Sequence, residues 1–189
     1  MPTLQSTEID QALEFFDRTR KRAAEAANGL SEAQWHFKPS ANCWSAAEIL
    51  EHMVMVQERV LGPARALLLQ APPPPPEHET GVIDKIIMER IPDRSRKAEA
   101  PEPIKPSGQW DRTTTLERLS KNYNALAEFV ASTPGLRDHA VESKPLQFIT
   151  NGAYTKIDGY QLTLLVAAHD ERHIRQILEL RADPNYPKN

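Results

Sequence analysis

Apolar residues recur at helical spacing in four stretches of the chain. Ile9, Leu13, Phe16, Ala23 and Ala27 predict a helix from about Glu8 to Asn28, closed by Asn28-Gly29. A second helix starts at Ser45, where Ser45-Ala46-Ala47-Glu48 has the spacing of a capping box. Its inward stripe is Ile49, His52, Met53, Val56, Val60 and Leu67, and Gly62-Pro63 predicts a kink because proline lacks the N–H donor. Leu116, Leu119, Tyr123, Leu126 and Val130 predict a third helix, starting between Asp111 and Thr114 and closed by Pro134-Gly135. The fourth starts near Asp158, with Gln161 as its capping partner, and ends before Pro184. Its stripe is Leu162, Leu165, Val166, His169, His173, Ile177 and Leu180.

Two connections are long. Residues 71–110 hold the run Pro72 to Pro76, a short helical pattern from Val82 to Arg90, and then Pro101, Pro103 and Pro106. Such a connection in a small bundle is often a lid or a binding loop. Residues 133–157 predict a turn or a short hairpin around Asn151-Gly152. Four amphipathic helices without a convincing sheet predict an all-α four-helix bundle, with a long Pro-rich connection between helices 2 and 3. At 189 residues the simplest organisation is one domain, residues 1–189.

Composition narrows the function classes. A formal net charge of -3, with no basic run longer than Arg20-Lys21-Arg22, argues against a nucleic-acid surface. Cys43 is the single cysteine, so no intrachain disulfide can form, which fits a cytoplasmic location. The longest apolar run, Leu162 to Ala168 interrupted by Thr163, is far short of the ~20 residues a membrane helix needs. The polar, acidic start of the chain does not read as a signal segment, so we expect nothing to be cleaved.

The candidate chemistry lies in the stripes themselves. His169 and His173 are four residues apart and share one helix face, with Cβ atoms ~6 Å apart. Two rings buried side by side without a shared partner are costly. His52, on the stripe of another helix, completes a three-histidine set that one metal could join. A core role is the usual fate of a lone histidine; the pair and its third member point to a ligand set. His169-Asp170-Glu171-Arg172-His173 differs from the HExxH protease helix at its second position, and no glycine-anchored third ligand follows. His36, His78 and His139 read as solvent-facing, with His36 the nearest of them to the site by its connection.

Around the three histidines, Glu48 and Gln176 can face the site and orient imidazole N–H groups, although capping suffices to explain Glu48. Arg172 and Arg175 could hold a substrate carboxylate, and Trp35, Trp44 and Trp110 could wall a pocket, with solvated and core roles as the plainer readings. Cys43, beside Trp44, reads as a packed thiol rather than a nucleophile.

Two stretches carry a family resemblance. Trp35-His36-Phe37-Lys38-Pro39, then Cys43-Trp44-Ser45 and Glu48-Ile49-Leu50-Glu51-His52, resembles the "W..kP....WS..eil.H" pattern of the DinB-like superfamily. Ala168 to Ile177 resembles its C-terminal "H...H..Q" helix, and residues 100–110, APEPIKPSGQW, also resemble family members. The resemblance implies a bacterial four-helix bundle and three histidine ligands, His52, His169 and His173. It implies one divalent metal, with zinc or nickel favoured and iron or manganese compatible, and often a homodimer. Some relatives resemble transferases that attach small thiols to electrophiles, or thiol-dependent isomerases. The leading expectation is therefore transfer of a small-molecule thiol to an electrophile through a thiolate held at the metal. The alternatives are metal-dependent hydrolysis and a non-catalytic metal-containing binding or stress-response module.

Overall fold

The structure, a computed structural model, describes residues 5–96 and 98–188. Its long helices are α1 (Ser6–Ala27), α3 (Ala46–Arg59), α6 (Arg112–Ser132) and α8 (Gly159–Arg181). Short helices α2 (Glu32–Trp35), α4 (Arg65–Leu68), α5 (Thr80–Arg90) and α7 (Lys144–Thr150) lie in the connections. Both α1 and α3 pack against α6 and α8, so the consecutive α1 and α3 stand diagonally across a four-helix bundle. The core is aliphatic and aromatic: Phe16, Ile49, Met53, Leu126, Phe129, Val166 and Ile177 are buried.

The helix starts follow from capping chemistry. The Ser45 hydroxyl accepts the Glu48 N–H while the Glu48 carboxylate accepts the Ser45 N–H, which sets the start of α3. Asp158 and Gln161 do the same at α8, at 2.7 and 3.0 Å. Gly159, the first residue of α8, lies so close to the preceding chain that a Cβ there would stand 2.7 Å from the Leu136 carbonyl oxygen. Gly62-Pro63 does not break its helix: residues Val60–Ala64 widen into one π-helical turn, and α4 continues beyond it.

The hairpin expectation needs correction. Strands β1 (Ala140–Glu142) and β2 (Lys156–Asp158) do pair antiparallel, but Asn151-Gly152 is not their turn. Helix α7 lies between the strands, and Asn151, at φ 51°, is its left-handed cap. The connection 71–110 is also more ordered than a proline-rich linker suggests. Its helix α5 packs on α8, and its second half is fastened to both α8 and α3.

Candidate metal centre

Helix α3 contributes His52 and α8 contributes His169 and His173, and the three rings converge where the helices pack. Nε2 of His169 lies 3.1 Å from Nε2 of His52 and 3.1 Å from Nε2 of His173. Each ring turns its other nitrogen to an acceptor. His52 Nδ1 donates to the Ile104 carbonyl at 2.6 Å, His169 Nδ1 to the Asp170 carboxylate at 3.3 Å, and His173 Nδ1 to Gln176 Oε1 at 2.9 Å. Those partners assign the hydrogen to Nδ1 in every ring, so three Nε2 lone pairs face one point. Three acceptors that close repel one another unless a cation sits among them. Metal–imidazole bonds of about 2.0–2.1 Å set about 100° apart separate their nitrogens by about 3.1 Å. The donor set therefore fits a divalent metal.

The surroundings keep the rings neutral. Burial holds His52 below its ordinary value. Burial and the neighbouring rings hold His169 and His173 well below theirs. Asp170 is fully buried, and burial raises its carboxyl to about 7 despite the hydrogen bond from Gln57 Nε2 at 2.7 Å. Trp44 walls the cluster, its ring centroid 4.8 Å from that of His52 and 6.1 Å from that of His173.

The DinB superfamily model matches residues 16–177, most of the chain and all three histidines. The chain belongs to the DinB superfamily. It is also 23% identical over 170 residues to the uncharacterized protein YuaE of Bacillus subtilis (strain 168), covering 89% of this chain and 96% of that one. No solved structure gives a significant match.

In this member of the DinB superfamily the other sequence candidates fall into two groups. Gln176 bonds His173, whereas the Glu48 carboxylate is taken by the Ser45 N–H and by Lys38 Nζ at 2.8 Å. Trp44 lies at the cluster, while Trp35 packs in the core under the Arg112 guanidinium and Trp110 lies under Arg118. Arg172 donates to the carbonyls of Asp93 and Arg96, and Arg175 to Glu171 and the Pro92 carbonyl. Both arginines fasten the connecting segment to α8 through these bonds. Cys43 Sγ accepts the Ser40 hydroxyl at 3.3 Å.

His36 is exposed near Glu32 and does not join the cluster. His78 is not solvent-facing: its side chain is 5% exposed and its Nε2 bonds Gln161 Oε1 at 3.0 Å. His139 is half-buried and donates to the Ala71 carbonyl.

Sequence reasoning missed Ile104, Glu51, Gln57 and Asp170. The buried Glu51 carboxylate accepts the backbone N–H and hydroxyl of Ser107 and the N–H of Gly108. Residues 92–96 are thus fastened to α8, and residues 104–108 to α3. A signal for Asp170 existed: it lies four residues after Val166 and seven before Ile177, on the buried stripe. A carbonyl such as that of Ile104 leaves no such mark.

Proposed function

We propose that the chain binds one divalent cation through Nε2 of His52, His169 and His173 and is a metal-dependent transferase that joins a small thiol to an electrophile. The observation that carries the metal reading is the trio of inward lone pairs, each enforced by an acceptor behind its ring. Three imidazoles suit zinc or nickel ahead of the harder, oxygen-preferring cations. A divalent cation held by neutral ligands supplies Lewis acidity that keeps a small thiol deprotonated near neutral pH. The thiolate electron pair then forms the C–S bond, the electrophile's leaving group departs with its own electron pair, and the thiol proton goes to solvent.

The chain's residues prepare that reaction in three ways. Ile104, Asp170 and Gln176 hold the ring orientations. Trp44 gives an aromatic wall beside two of the ligands. Residues 104–108, fastened to α3, bound the site from the connection side. All three histidines come from one chain, so the reading needs no second copy.

The test is turnover of a generic aryl halide with several small thiols, using metal-loaded protein. Metal-dependent thioether formation, abolished by His169→Ala/His173→Ala, is the expected result. Hydrolysis of activated esters without thiol would replace this reading with the hydrolase. Metal binding without any turnover would leave a binding module.

A further inference from the structure

Behind His169 lies a carboxylate whose charge has no basic partner. Asp170 is 0% exposed, and among the described residues its ionic neighbour is His169 alone. The adjacent Glu171 shows the contrast: it pairs with both Arg22 and Arg175. Gln57 Nε2 donates to the second Asp170 oxygen, and Gln57 is itself fully buried. The Tyr123 hydroxyl is buried with no partner in hydrogen-bond geometry, and burial first, then the Asp170 charge, push it well above its ordinary pKa. Taking a carboxylate out of water costs several kcal/mol unless an opposite charge compensates. The chain places a neutral amide, a neutral imidazole N–H and a neutral phenol against Asp170, and no arginine or lysine among the described residues.

We propose that Asp170 is a positioning residue and the built-in countercharge of the metal centre, linked to the cation through the His169 ring. The proposal rests on the three-histidine metal reading and goes beyond it by assigning the source of the centre's charge balance. Through the His169 Nδ1–H bond the carboxylate fixes that ring's tautomer and makes its Nε2 a stronger donor. A dication supplies the positive charge that the surrounding side chains withhold. The centre then carries one unit of positive charge rather than two, which suits a site meant to receive one thiolate and release a neutral thioether.

The test uses full-length Asp170→Asn, which keeps the shape and an acceptor while removing the charge. Zinc affinity, read by chelator competition, should fall about 10- to 100-fold. Affinity for Cu(I), a monocation, should fall less, so the ratio of zinc to copper affinity drops. A purely structural role would weaken both ions equally, and that outcome, or zinc affinity unchanged within experimental error, overturns the proposal. NMR of zinc-loaded wild type gives a second reading that survives an unfolded variant. The His169 Nδ1–H proton should be visible and protected from exchange with water, because it donates to a buried carboxylate. A His169 Nδ1–H that is absent, or that exchanges as fast as an exposed imidazole N–H, contradicts the assignment. Wild type that takes up no zinc at all would sink the metal reading itself, a failure distinct from that of Asp170.

Discussion

His169 shares close contacts with both other rings and has a carboxylate behind it, so proton competition for the site runs through its neighbours. A free histidine protonates near pH 6.5, which alone would weaken metal binding as pH drops through that value. Burial changes the order. The three rings are held below 6.5, whereas Asp170 is raised to about 7. Metal favours the deprotonated form of both kinds of group, so near pH 6.5 Asp170 gives up more of the displaced proton than any one imidazole does. Calorimetry at about pH 6.5 in buffers of different ionisation enthalpy should find more proton release on zinc binding by wild type than by Asp170→Asn. Equal release from both proteins would contradict this order. Gln176→Leu removes the acceptor behind His173 and should cost about tenfold in zinc affinity, read by chelator competition. The histidines were legible because they interrupt apolar stripes at fixed spacing. Ile104 was not, because a carbonyl oxygen is common to every residue.

Helix α3 holds the site and the connecting segment with adjacent residues: His52 takes the Ile104 carbonyl and Glu51 takes Ser107 and Gly108. Metal at Nε2 makes His52 Nδ1–H a stronger donor, so zinc should slow hydrogen exchange across residues 101–108. No change there would mean that the segment and the site are uncoupled. Glu51→Gln replaces a charged acceptor of three hydrogen bonds and should cost about 1–3 kcal/mol in urea unfolding. Gly159→Ala tests the start of α8. Its Cβ would meet the Leu136 carbonyl and Leu68 Cδ2 at 2.7 and 2.6 Å, and the loss should be about 1–3 kcal/mol by the same measurement. The long helices could be read from the sequence because stripe and cap agree at each. Helices α2 and α7 could not, since four and seven residues are too few to show a period. Asn151-Gly152 misled for a physical reason: the left-handed conformation that suits a hairpin turn also caps a helix.

Across the whole molecule, the bundle brings together α3 and α8 from distant parts of the sequence, and the connection 71–110 packs on both. The family relationship accounts for the bundle; the hydrogen bonds behind the rings account for why their lone pairs face inward. Among the described residues no helix is long and apolar enough to cross a membrane. The three-histidine centre should also stabilise the fold, because a ligand that binds only the native state adds RT ln(1 + [L]/Kd). The most direct measurement is elemental analysis of protein purified without an affinity tag, beside His169→Ala/His173→Ala prepared identically. About one zinc or nickel ion per chain, absent from the double variant, is the predicted result. Metal-free wild type that takes up none on reconstitution, or a double variant that keeps its metal, would contradict the central claim.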